Sequence, residues 1–248
     1  MDRHLRARIT HADHPVAAPV SDQNVARLLE RATRGGAGRM LDLGCGEGTW
    51  LLRALAANPE LHAVGVDLDD SGLTLARQRA EALGVARRIG LHHQDAADFG
   101  SREPFDVVLS IGSTHAFGGL LPTLAAAGRH LAPGGRVLLG DCYWEREPDR
   151  AALAGLGAAP DDWADLAGTV RRITDAGWVP VLGHSSTRAE WDAYEWAWTG
   201  SLAEWALDHP DHPDSAEAAA TAAEHRDGWL GGYRGTLGFL TLVLRRAV

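Results

Sequence analysis

The chain has 248 residues, 33 acidic against 24 basic side chains and a net charge of −9, with 45% of its residues hydrophobic. That length suffices for a sizeable core in one α/β domain, and no apolar run is long enough to span a bilayer. Every basic residue is arginine, which excludes chemistries that need a lysine amine: a pyridoxal-phosphate Schiff base, a P-loop, and the Tyr–Lys pair of short-chain dehydrogenases.

The N-terminus, Met1-Asp2-Arg3-His4, leads into polar sequence without a signal-peptide core, which predicts a cytoplasmic protein. A helix is expected from about Ser21 to Arg34, with Ser21 as its cap. The strand Arg39–Leu43 then runs into Gly44-Cys45-Gly46-Glu47-Gly48-Thr49, and the apolar run Leu51–Ala57 reads as the next helix. Glycine carries no Cβ, so such a loop takes up positive φ and lets a nucleoside lie against the main chain. A dinucleotide fingerprint needs its third glycine at the sixth position, which is Thr49 here, so the pattern is G-x-G-x-G behind a strand-ending acid, Asp42. The two cysteines, Cys45 and Cys142, supply neither a disulfide framework nor a zinc set and read as small buried fillers.

Four further segments follow in order. Val64–Leu68 is a buried strand ending at Asp67, 19 residues beyond Gly48, about where a βαβ unit places the acid that accepts both ribose hydroxyls. A helix from Ser71 to Leu83 follows, capped by Asp69 or Asp70. The third strand, Ile89 onward, ends in Asp95-Ala96; Phe105–Gly112 reads as a fourth, and Leu131–Gly140 as a Pro-Gly-Gly turn entering a fifth.

Taken together, these motifs resemble the class I S-adenosylmethionine-dependent methyltransferases over about residues 20–140. The resemblance implies an α/β fold with a doubly wound, mostly parallel seven-stranded sheet, S-adenosylmethionine as cofactor and S-adenosylhomocysteine as product. It also implies a cofactor site of Asp42, Gly44, Cys45, Gly46, Asp67, Leu68, Asp95, Ala96, Ser110 and Ile111, with Asp95 and the amide of Ala96 on the adenine edge. The segments around His115, Tyr143 and Trp191 look like those of a bacterial branch acting on small molecules.

His115, just after the fourth strand, is the candidate general base. Methyl transfer is an in-line displacement, so the enzyme mainly positions the nucleophile and removes its proton, which a neutral imidazole suits. A loop hydrogen bond is its structural alternative. After the fifth strand, Tyr143 and Trp144 are candidates to line the acceptor pocket, with Asp141 or Glu145 as a second base; packing of the loop is the alternative for each. The paired histidines (His11 with His14, His92 with His93, His209 with His212) lack the third ligand of a metal site, so no metal is expected.

A helix over 163–176, a sixth strand over 178–186 and a last strand over 236–245 complete the sheet; in the family the last two form an antiparallel pair, the seventh inserted beside the fifth. Between them, residues 188–232 form a helical, tryptophan-rich insertion, expected as a cap-like part of a single 1–248 domain. From Glu190 to Asp227 it carries ten acidic residues against Arg226 alone, which equals the net charge of the whole chain. An acidic segment with no compensating basic patch argues against nucleic acid as partner. Trp191, Tyr194, Trp198, Leu202 and Trp205 share one helical face. Trp191, Tyr194 and Trp198 are candidates to roof the acceptor pocket, and with Glu195 beside them would suit an amine or heterocycle through cation–π attraction; packing onto the sheet is the plainer alternative.

The leading expectation is therefore methylation of a small molecule by a monomer or homodimer that binds neither nucleic acid nor membrane. A non-catalytic S-adenosylmethionine-binding partner protein and a macromolecular methyltransferase are the other readings.

Overall fold

The computed structural model describes residues 1–36 and 38–247. Along the chain the order is α1 (Arg3–Thr10), α2 (Asp22–Thr33), β1 (Arg39–Leu43), α3 (Thr49–Ala57), β2 (His62–Asp67), α4 (Asp70–Ala82), β3 (Ile89–His93), β4 (Phe105–Ile111) and α5 (Leu120–His130). There follow β5 (Leu131–Trp144), α6 (Arg150–Leu156), α7 (Leu166–Asp175), β6 (Trp178–Ser185), α8 (Arg188–Asp208), α9 (Ser215–Gly228), a π-helical turn (Trp229–Tyr233) and β7 (Leu237–Arg246). The residues group into a sheet unit (Ser21–Asp141, Val170–His184, Leu240–Val248) and a helical unit (Met1–Val20, Cys142–Thr169, Ser185–Phe239).

The seven strands form one mixed sheet in the order β3-β2-β1-β4-β5-β7-β6. The pairings of β1 with β2 and β4, of β2 with β3 and of β4 with β5 are parallel. Met40, Leu41 and Leu43 of β1, Val107–Leu109 of β4 and Val137–Leu139 of β5 are buried, as expected of parallel strands covered on both faces. Each such side chain stabilises the core by about 1.5–3 kcal/mol relative to exposure. The order reverses between β1 and β4, so the carboxyl ends of these strands open the crevice in which α/β sheets bind ligands. The doubly wound sheet read from the sequence is the observed one.

Local signals account for most of these elements. Asp69 caps α4, its carboxylate accepting from the backbone N–H of Ser71 at 3.0 Å. Ser21 stands at the cap position of α2. The strand expected to end at Gly140 instead continues to Trp144, so Asp141, Cys142, Tyr143 and Trp144 lie in β5 rather than in a loop after it. Helices α1 and α6 were not legible: α1 is strongly polar and α6 spans only 7 residues.

In the helical unit, residues 188–232 form α8, α9 and the π turn, the helical insertion expected between β6 and β7. Leu202 and Ala206 of α8 pack on Ala218 and Ala222 of α9, with Trp198 and Trp205 against them. Trp144, Ala152, Trp229, Tyr233 and Leu237 make a second cluster. Helices α6 and α9 touch through glycines: a Cβ on Gly155 would lie 2.7 Å from the carbonyl oxygen of Gly228.

Candidate functional site

In the sheet unit the glycine loop is built against the ends of β1, β2 and β4. Gly44, Gly46 and Gly48 all take positive φ (89°, 51° and 70°). The amides of Gly44 and Cys45 both donate to the carbonyl of Val66, at 2.9 and 3.0 Å. Asp67, at the end of β2, accepts from the Gly46 N–H through Oδ2 at 2.7 Å and from the Asp69 N–H through Oδ1 at 2.8 Å. Each carboxylate oxygen has two lone pairs, so both keep one for a further donor.

Asp42 sits beneath this loop, 2% exposed, and its Oδ1 has no hydrogen-bond partner among the described residues. Burial, and secondarily the charge of Asp67, push its carboxyl up to about 7. Burial also raises the Cys45 thiol, with Asp42 and Asp67 adding to the effect. That thiol packs where a Cβ on Gly65 would lie 2.7 Å from Sγ, so Cys45 enters the site as a spacer under the loop.

The remaining residues read from the motifs divide into two kinds. Leu68 is 63% exposed beside Asp67, an apolar face awaiting cover. Asp95 Oδ1 accepts from the Ala97 N–H at 2.8 Å, and Ala96 is buried behind it. Ile111 is half-buried at the end of β4. Ser110 is fully buried instead: the Ser113 hydroxyl donates to the Leu43 carbonyl at 2.7 Å, so Ser110 must donate to Ser113 Oγ at 2.8 Å. Ser110 therefore braces the loop through Ser113. His115 is exposed in the short turn Thr114–Phe117, its ring without a hydrogen bond among the described residues.

The orphaned Asp42 Oδ1, the free lone pairs of Asp67, the exposed Leu68 and the open space that a Cβ at Gly46 would meet suit a nucleoside carrying a cationic, hydrogen-bonding tail.

The helical unit holds a separate cavity of about 380 Å³, walled by Tyr143, Arg188, Trp191, Asp192, Trp229 and Tyr233 among others. Tyr143 donates its hydroxyl to Glu145, and burial with that carboxylate pushes the phenol up to about 12. Asp192 is held by both arms of Arg234, at 2.8 and 2.7 Å, which lowers its carboxyl below the usual range.

Of the residues expected at an acceptor pocket, Tyr143 and Trp191 line this cavity, whereas Trp144, Tyr194, Glu195 and Trp198 do not. Trp144 is buried, donates its indole N–H to the Pro160 carbonyl at 2.9 Å and meets Trp163 edge-on. Tyr194 packs edge-on against His14, and its phenol is raised by burial and by Glu195. Trp198 stacks on His225 with centroids 3.9 Å apart. Glu195, 2% exposed, accepts from Tyr233 at 2.7 Å and bonds His225 Nε2 at 2.7 Å. Both of its oxygens are thus bonded inside the helix packing.

The sequence reading missed Arg146, Arg188, Trp229 and Tyr233, all on the cavity wall. The run Trp229-Leu230-Gly231-Gly232-Tyr233, aromatic residues around paired glycines at the end of a helical insertion, was the available signal.

A family model described as "Methyltransferase domain" matches residues 35–175. The protein YjhP of Escherichia coli is 30% identical over 205 residues, 82% of each chain. Among solved structures, an S-adenosylmethionine-dependent methyltransferase from Geobacter sulfurreducens in complex with S-adenosyl-L-homocysteine superposes with TM-score 0.88 at 27% identity, covering 99% of this chain and 98% of that one. One from Thiobacillus denitrificans, with the same ligand, gives TM-score 0.88 at 27% identity over 99% of both chains. With the glycine loop, the strand-end acids and the sheet order described above, these matches show that the chain belongs to the class I S-adenosylmethionine-dependent methyltransferases.

Proposed function

We propose that this methyltransferase acts on a small-molecule acceptor. The observation that carries the reading is the cavity of about 380 Å³, a volume within the roughly 300–1,000 Å³ of small-molecule sites. The acidic insertion supports it, since Glu190–Asp227 offers no basic surface to a nucleic acid backbone.

The cofactor supplies an electrophilic methyl group on a sulfonium. The residues of this chain bind and orient. Asp67 takes the ribose hydroxyls on its free lone pairs, Leu68 covers the adenine face, and Asp95 with the Ala96 amide reads the adenine edge. Gly44 and Gly46 admit the nucleoside to the backbone, Asp42 offers its unpartnered oxygen to the cationic tail, Cys45 and Ser110 support the loop, and Ile111 bounds the site. His115, exposed and unengaged, takes the proton from the acceptor's nucleophilic atom. Cytoplasmic placement accords with the described helices, none of which is long and apolar enough to cross a membrane.

A radiolabelled-methyl screen of the purified protein against metabolite, protein and RNA fractions tests the reading. Label is expected in the metabolite fraction alone; transfer confined to protein or RNA overturns it.

A further inference from the structure

The chemistry of the helical-unit cavity follows from which of its charged groups are already engaged. The carboxylates at and behind its wall are. Asp192 takes both arms of Arg234, Glu145 takes the Tyr143 proton, Glu195 takes the Tyr233 proton and Glu190 takes the Thr187 proton. Each hydroxyl has one proton to give, so Tyr143, Tyr233 and Thr187 have none left for a ligand.

On the lining itself the cations outnumber the acids, Arg146, Arg188 and Arg234 against Glu145 and Asp192. Neither Arg146 nor Arg188 forms a close ion pair among the described residues, although the Arg188 charge helps to lower the Asp192 carboxyl. The Arg188 guanidinium lies against Gly235, where a Cβ would be 2.8 Å from Nη2, and the φ of +77° there admits no ordinary side chain without strain. Glycine at 235 is thus what gives that guanidinium its place on the wall.

Three further groups able to donate are buried without a partner among the described residues, Ser186 Oγ, Trp191 Nε1 and Trp229 Nε1, and all three residues line this cavity. A buried donor without an acceptor is destabilising, so each of the three favours an acceptor brought into the cavity. Flat apolar surface is supplied by Trp191, Trp229 and Tyr143, the last held down on β7 because a Cβ on Gly238 would lie 2.3 Å from its ring.

We propose that this cavity binds an organic anion: a carboxylate on a flat, aromatic body, with Arg188 and Arg146 on the carboxylate and the indoles on the ring. The binding claim stands on the helical unit alone. It names the acceptor class only insofar as the proposed function holds, and there it rests on that reading; it replaces the amine acceptor expected from the sequence with an aromatic acid.

The test uses the full chain in calorimetric titrations with three probes of one shape, 3-phenylpropionate, 3-phenylpropanamide and 3-phenylpropylamine. The carboxylate is expected to bind about tenfold or more tightly than the amide, the scale of a charge-assisted hydrogen-bond pair, and the amine most weakly. Arg188→Gln and Arg146→Gln should each weaken the carboxylate about tenfold and leave the amide unchanged. A carboxylate that binds no tighter than its amide, or that is indifferent to both substitutions, overturns the proposal. S-adenosylhomocysteine titrated into the same samples reports the sheet unit and confirms that the variants fold. A failed methyl-transfer screen with intact anion binding removes the proposed function and leaves this site; intact methyl transfer without anion preference does the reverse.

Discussion

Gly44 and Ser113 are packed so closely that a Cβ on the glycine would lie 2.5 Å from Ser113 Cβ and 2.8 Å from its Oγ. Ser113 cannot retreat, because its hydroxyl ties the Leu43 carbonyl to Ser110. The first glycine of the loop is therefore required by the folded protein itself.

Gly44→Ala should accordingly destabilise the protein by about 2–4 kcal/mol, from overpacking together with a left-handed φ, and lower Tm by about 5 °C or more. Gly46→Ala gives the contrast: its Cβ meets nothing within 4 Å, so the stability cost is about 1 kcal/mol from φ alone. Its effect falls on the ligand, and S-adenosylhomocysteine affinity should drop about tenfold or more. Thermal melts and calorimetry of the two variants separate these outcomes; equal melting temperatures would contradict the packing argument.

Asp42 predicts a pH dependence. Its folded-state carboxyl is pushed up to about 7, against about 3.9 in an unfolded chain. A raised value means the native state favours the protonated form, so this contribution to stability is full below about pH 4 and is lost as pH rises through about 7, by up to roughly 4 kcal/mol. In cofactor-free melts Asp42→Asn should gain on the parent protein as pH rises across that window and keep a constant lead above it. A lead that does not vary with pH refutes the assignment.

Glu195→Gln tests whether that carboxylate serves the helix packing. It joins Tyr233 to His225 in the buried interior, and hydrogen bonds to a charged group contribute about 1.5–3 kcal/mol. A fall in Tm with unchanged S-adenosylhomocysteine affinity is expected; an undiminished Tm would place Glu195 outside the packing.

His115→Ala should reduce kcat by about 10²–10⁴, the usual contribution of a positioned base, while cofactor affinity and Tm stay as they were. Turnover within a few-fold of the parent enzyme removes His115 from the mechanism.

The part of this protein that the sequence determined is the part whose information is local. Positive-φ glycines at 44, 46 and 48, strand-end acids at 42 and 67 and the Asp69 cap each act within a turn of the chain. Their order along the chain was enough to specify the cofactor and the sheet. The aromatic stripe of α8 was local too, but the buried face of that helix is made by Glu195, Thr199, Ser201, Leu202 and Ala206, of which the stripe holds only Leu202. A period says which residues share a face; it does not say what covers that face. The partners of Glu195 lie 30 and 38 residues away, on α9 and in the π turn, and they tie it into the helix packing. The cavity is assembled from residues 143–146, 185–192 and 229–238 with Leu166, stretches that only tertiary packing brings together. The net charge of the insertion therefore pointed to a cation, whereas the cavity wall carries Arg146, Arg188 and Arg234 against Glu145 and Asp192.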